Sequence, residues 1–570
     1  METKGGKKER LLIIGLPVLL SLLFFLLPLI FRQPLYCLND DLQIAGILSG
    51  ALSGSPDLHT VYVRAPLSFI LSLLYRWIPS FPWFGAFLCF CIVLSFYLLL
   101  RSVFRELLEG NSAAIRTAAG IFLMAAFYLL YFRTIFIMPH YTLVAAVCGA
   151  AGIWLLVTGR EGFTPCLLLI LCDQIRSQVF LMLLPFALLA FALKLYGEKT
   201  DGSEGFLTEE RKKLLHGFGV FCACFALLFG LHKAAYLTPV WAEYLKLNDA
   251  RTELYDYAGV WESDTAKDYY ERCGMDTETT LPLYLQYDLL PDEDARAERL
   301  STLAIYREPG RSLSGIAKLK NVLYELKERS LKTDAVYAWP MFLAMIAGLA
   351  LALAEKDLPS VLAAGAGICL HFGLYGYLLW NGRSPERVTV SLYLFGTMFA
   401  AGLSACRKKQ KARIVTMAAM ALGLLTASFF LHPGEDYREQ ITVNQTDDVL
   451  YSYMAEHSQE LFLLETYATV YRTTTVAEEG KQAANVLLMG GWQYGSPLQE
   501  EKLARFGYED RKALFAKGGA KIVFREGVGL SPDELGAFLE QRYPEGGRLT
   551  EEARLSSGET DTTFLIYGME

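Results

Sequence analysis

A mainly α-helical polytopic membrane protein, with about eleven transmembrane helices, is predicted by three features of this 570-residue sequence. Hydrophobic residues make up 53% of the chain and mean hydropathy is +0.29, above what a water-soluble domain usually carries. Apolar runs recur at lengths that suit a bilayer core of about 30 Å, at about 1.5 Å of rise per helical residue. Lys and Arg are unevenly shared between alternate short loops, which sets an orientation.

The first run, 11–31, is uncharged and follows a basic start. That order also describes a signal peptide, but no small-residue cleavage site follows, so an uncleaved first span is expected. Further spans are expected at 83–104, 113–132, 139–158, 163–178, 179–196, 214–236, 336–354, 359–380, 388–405 and 412–431. With the N-terminus inside, nineteen Lys and Arg fall in cytoplasmic loops, among them Lys4, Lys7, Lys8, Arg10, Arg407, Lys408 and Lys409. The opposite short loops hold seven: Arg32, Arg64, Arg76, Arg133, Arg176, Arg383 and Arg387.

Four regions follow from this reading. Residues 1–237 form an N-terminal transmembrane module with an outer loop at 32–82, and 238–335 an extracytoplasmic helical insert with helices near 241–257 and 316–332. Residues 336–431 return to the membrane. The tail, 432–570, reads as a small extracytoplasmic α/β domain, with strands at 485–489 and 521–524 and helices at 498–506, 510–517 and 532–541. The net charge of −7 argues against nucleic acid as a partner. Most of the eleven cysteines lie inside spans as small apolar residues, and a Cys37–Cys273 bridge stays open. The sequence has no GxxxxGK[ST], no GxGxxG after a strand and no HExxH, which lowers the weight of ATPases, dinucleotide enzymes and zinc proteases.

Charge at membrane depth costs several kcal/mol unless paired or solvated, so it usually marks a site. The first outer loop carries Asn39-Asp40-Asp41, followed by His59 and Arg64. Its carboxylates could act as a general base, hold a metal, or cap a helix over 43–52 through Asn39 or Asp40. The thirteen residues 66–78 are too short to span and suit a helix in the interface plane. Asp173, Gln174 and Arg176 interrupt an apolar stretch, which suits either a cavity wall or a local Asp173–Arg176 pair. Arg383 and Arg387 flank a short outer loop where a guanidinium could grip phosphate. Arg133 and His140 are expected at the same outer level.

In its order of parts the chain resembles the GT-C superfamily of polytopic membrane glycosyltransferases. A first span is followed by an outer loop with an acidic motif (Asn39-Asp40-Asp41), an interfacial helix opening Ala65-Pro66-Leu67, and then a span. Arg133 with Pro139-His140-Tyr141 matches the family's polar or basic residue and following aromatic at the outer end of a later span. The resemblance covers about residues 1–240. It implies transfer of a sugar from a polyprenyl- or dolichyl-phosphate carrier to an extracytoplasmic glycan, lipid or protein acceptor, in the plasma (bacterial inner) membrane. Asp40 or Asp41 would be the catalytic carboxylate, with Arg133, His140, Arg176, Arg383, Arg387, His59, Arg64 and Gln174 as candidates for the donor phosphate and substrate. A divalent cation, Mg or Mn, on Asp40 and Asp41 stays open. Two rivals from other classes are a transporter or flippase of lipid-linked substrate and a non-catalytic envelope-assembly protein of the same fold.

Overall fold

The computed structural model describes residues 11–108, 113–159, 162–197, 208–275, 297–307, 314–406, 410–469, 472–479 and 484–570. Lys4, Lys7, Lys8, Arg10, Arg407, Lys408 and Lys409 lie outside these residues. Each of the eleven apolar runs forms a helix. Among the described residues nine are long and apolar enough to cross a membrane, and Ile13–Leu29 and Thr164–Ile175 are shorter. At twelve residues, Thr164–Ile175 reaches only about 18 Å. It ends where Arg176 turns extended (φ −154°, ψ 101°), and Ser177–Gly197 starts directly after it.

Tyr141–Thr158 and Glu386–Ala405 form the axis of the bundle: 94% of each apolar window is buried by other helices, against 6% for Arg211–Ala235 at the periphery. Small residues allow the close approach. Gly149 lies under Leu183 and Cys172, and Gly402 under Val157. The interfacial helix is Ala65–Trp77, with Leu67, Leu71 and Tyr75 buried and Phe69, Ile70 and Trp77 exposed, as an amphipathic helix at a membrane surface would be.

Outside the bundle, Pro239–Thr252 continues into Glu253–Ala258, and Gly315–Leu331 leads back to the spans. The last spanning run continues almost unbroken into the polar helix Pro433–Glu456, an element the hydropathy pattern does not reveal. A five-stranded sheet follows: β1 (Phe462–Leu464), β2 (Val486–Leu488), β3 (Lys521–Arg525), β4 (Leu549–Ser556) and β5 (Thr563–Met569), in the order β2-β1-β3-β5-β4. The first three are parallel and the last two antiparallel. Of these, β2 and β3 are the strands expected from sequence. The intervening helices Pro497–Arg505, Arg511–Lys517 and Pro532–Arg542 match expectation within a residue or two. One face of the sheet packs on helices of the insert, so Leu254, Tyr270 and Leu303 share an apolar cluster with Leu463, Ile522 and Leu539. All eleven cysteines are free thiols, Cys37 and Cys273 included.

Candidate active site

The loop after the first apolar helix is fixed before its own helix begins. Leu35 N–H donates to the Ile137 carbonyl at 2.9 Å, and Tyr36 N–H to the Thr474 carbonyl at 3.0 Å. The helix that follows is Asn39–Ser49, four residues earlier than the 43–52 expected. Leu38, not Asn39 or Asp40, is its N-cap, and Asp41 supplies the reciprocal bond by accepting from Leu38 N–H at 3.3 Å. Gly50 ends it at φ +80°, where a Cβ would meet the Ser55–Pro56 backbone at 2.5 Å.

The two carboxylates differ sharply. Asp41 is fully buried, and its other oxygen accepts from Tyr141 N–H at 2.9 Å. Burial raises its carboxyl well above the ordinary range despite these two amide donors. His140 Nδ1 lies 3.6 Å from Asp41, but it accepts from Thr142 N–H at 3.2 Å, and burial lowers the imidazole, with Arg387 and Arg176 adding to the effect. Burial disfavours the charged form of both groups, so the contact gains little from charge. Asp40 is only half-buried. One oxygen accepts from Trp492 Nε1 at 3.1 Å, and the other has no partner among the described residues.

Three of the expected cations gather around this pair. His140 touches Asp41 and keeps Nε2 buried without a partner. Arg176 donates to Tyr141 Oη at 2.6 Å, with its guanidinium over the rings of Tyr62 and Tyr141 at 4.5 and 5.0 Å. Arg387 is half-buried, has no ion pair among the described residues, and bears electrostatically on both Asp41 and His140. Arg383 is elsewhere engaged, paired with Asp256 and lying over Tyr257. Arg133 stays in the helix Thr117–Ile137, with its Nε buried and unpartnered.

Asp173 pairs with Arg64 at 3.1 Å instead of Arg176, and Gln174 Nε2 donates to its second oxygen at 3.1 Å. Arg64 N–H also donates to the Gln174 carbonyl, so these residues lock the interfacial helix to the broken span. His59 is a clamp. Its ring nitrogens face Asp57 at 2.7 Å and the Ala235 carbonyl at 3.0 Å, and the ring stacks on Trp241 at 4.1 Å. No ring nitrogen is left for a substrate. Among the described residues, no group of three or more His, Cys, Asp or Glu side chains could hold a metal ion. Asp41, with its oxygens turned to backbone amides, fits such a role poorly.

A cavity of about 290 Å³ opens beside Asp40, and its roof is the C-terminal region: Trp492, Gln493, Arg472 and Lys502. Gln493 Nε2 donates to Gln43 Oε1 at 3.0 Å, and the Trp492 carbonyl accepts from Tyr244 Oη. None of these partners follows from the sequence, although Gly490-Gly491-Trp492 places an aromatic after two glycines at positive φ (112° and 77°). A larger cavity, about 590 Å³, lies among Leu155, Pro165, Leu188 and Phe221, with Lys194 and Lys213 as cations and no carboxylate among the described residues.

Apolar helices of spanning length, an acidic loop after the first of them and a capping α/β region define a polytopic helical membrane protein with a candidate site where that loop meets the α/β region. No protein-family model matches the chain, and no curated protein matches it. Two solved structures are similar to it over nearly the whole length: ArnT from Cupriavidus metallidurans bound to undecaprenyl phosphate (11% identity, 97% of each chain, TM-score 0.38) and the same protein in the apo state (12%, 97% of each chain, TM-score 0.39).

Proposed function

We propose that this protein is a membrane glycosyltransferase of the GT-C type, moving a sugar from a polyprenyl-phosphate carrier to an extracytoplasmic acceptor. The observation that carries the reading is Asp40: a half-buried carboxylate with one oxygen held by Trp492, the other free beside a cavity, and Arg176, His140 and Arg387 grouped around its neighbour. Asp40 takes the proton of the acceptor hydroxyl as that oxygen bonds to the anomeric carbon. The bond from that carbon to the carrier phosphate breaks, and its electron pair leaves with the phosphate oxygen. Arg176 and Arg387 are fixed positive charges for that developing anion. Asp41 holds the helix and does not exchange protons with substrate.

This assignment puts the N-terminus in the cytoplasm and the first loop, the insert and the C-terminal region outside. The Asp40–Trp492 and Arg383–Asp256 contacts support a common side for these segments, because each needs both partners together, and the Lys and Arg bias of the short loops supports that side being the outer one. Cysteine accessibility should therefore find positions 40, 256, 383 and 570 all outside, and a cytoplasmic tail would reject the site. The direct test is turnover of lipid-linked sugars by the full chain in nanodiscs. Asp40→Asn should lower turnover by about two to four orders of magnitude with little change in folding, and near-normal turnover would reject Asp40 as the base.

A further inference from the structure

The cavity beneath the C-terminal region contains a group that sugar transfer from a lipid carrier does not require. Lys502, on the helix Pro497–Arg505, is 1% exposed and lines the same cavity as Asp40. Its only hydrogen-bond partner among the described residues is the Val486 carbonyl at 2.5 Å, which leaves two of its three donors unused. Among the described residues no carboxylate acts on it, and the charge that does is Arg505, of like sign. The second cation of the cavity, Arg472, already has a counter-ion: its Nη atoms donate to Asp448 at 2.9 Å and to the Asn444 carbonyl at 2.8 Å, while its Nε is buried without a partner among the described residues. Thr474 lines the wall with a buried hydroxyl that has no partner.

A buried ammonium without a counter-ion is costly, and proteins keep one where a ligand or a proton change completes it. The charge to be matched here is a single one, since the charge of Arg472 is paired with Asp448. That favours a monoanionic carboxylate over a phosphate dianion. We infer that this cavity is the acceptor subsite and takes a sugar bearing a carboxylate, a uronic-acid residue, with Lys502 holding the carboxylate and a hydroxyl presented to Asp40. The inference rests on the glycosyltransferase reading for the direction of transfer, but not for binding. Burial, with Arg505, brings Lys502 down to about 7, so an arriving carboxylate would also restore its full charge.

The test is binding of two disaccharides of one skeleton, cellobiouronic acid and cellobiose, to the full chain in nanodiscs without donor. The acid should bind about tenfold more tightly, the worth of one charge-assisted bond. Lys502→Met should abolish that preference, whereas Asp40→Asn should keep it. If Lys502→Met fails to fold, reductive methylation of Lys502 in the wild-type protein replaces it, and only the acidic disaccharide should slow the modification. Equal binding of the two sugars, a preference that survives Lys502→Met, or equal protection by both would overturn the inference. A failure of Asp40→Asn to slow transfer would strike the proposed chemistry alone, because binding is read without it.

Discussion

Where the C-terminal region meets the loop after the first apolar helix, two carboxylates are held on opposite principles. Glu479 is buried and accepts from four donors: the hydroxyls of Tyr36 and Tyr75, Phe84 N–H at 3.2 Å and Gly85 N–H at 3.1 Å. The last two are the opening amides of the span Trp83–Leu108, where the helix dipole also favours a carboxylate. The approach is so close that a Cβ on Gly85 would lie 2.2 Å from Val476. Asp40, by contrast, has a single side-chain bond among the described residues, to Trp492, and a cavity beside it. A carboxylate with every lone pair in use is a fastener, whereas one left partly unsatisfied at a cavity is free to do chemistry.

The sharpest way to break this contrast is to remove the fastener. Glu479→Ala would leave two tyrosine hydroxyls and the Gly85 amide buried without an acceptor, at about 1–3 kcal/mol each before relaxation, while Phe84 N–H keeps Tyr75 Oη at 2.9 Å. A total loss of about 3–5 kcal/mol is expected after the site relaxes, enough to detach the C-terminal region in a protein of ordinary stability. Thermal unfolding in detergent and proteolysis after Leu431 would show it. A Glu479→Ala protein with wild-type melting would mean that the C-terminal region is held elsewhere.

Trp492→Phe sharpens the comparison from the other side. It keeps the ring against Tyr62, at 5.0 Å in the native protein, and deletes only the donor to Asp40. One neutral-to-charged hydrogen bond is worth about 1.5–3 kcal/mol when both partners stay in place. If the indole orients the base, turnover should fall about tenfold or more, with melting lowered by only a few degrees. A fall in stability with unchanged turnover per folded molecule would make Trp492 another fastener.

The membrane half and the interfacial helix were legible in the sequence because long apolar runs leave few alternatives. The Asn39-Asp40-Asp41 motif was legible too, but not the division of labour within it, since the bonds to Leu38, Tyr141 and Trp492 that separate the two carboxylates come from three places in the chain. Glu479 and its tyrosine partner Tyr36 are 443 residues apart, and nothing local to either announces the bond. β1 is three buried residues, too short for a periodicity, and β4 is an edge strand whose exposed Glu551, Glu552 and Arg554 hide the alternation. The sequence leaves Asp173 open between a cavity wall and a local pair with Arg176; it bonds to Arg64 instead of Arg176, because sequence proximity does not measure distance across a helix break.

Asp41 sits beside Asp40 but behaves like Glu479, and pH can expose that. Burial raises its folded-state carboxyl above the unfolded value of about 3.9, so the fold holds this proton more tightly than the unfolded chain does. Its contribution to stability is therefore fully present below the unfolded value and is lost as pH rises through the raised folded one. Asp41→Asn cannot ionise and escapes that loss. It sacrifices something else at every pH: an amide accepts through one oxygen only, so either Leu38 N–H or Tyr141 N–H loses its partner, a cost of about 1 kcal/mol. The variant should melt below the wild type at pH 5, and the gap should narrow or reverse by pH 8. Melting curves of both proteins at the two pH values measure it directly. A gap that stays constant would mean that Asp41 is ionised in the fold at both pH values, and would return it to the list of possible bases beside Asp40.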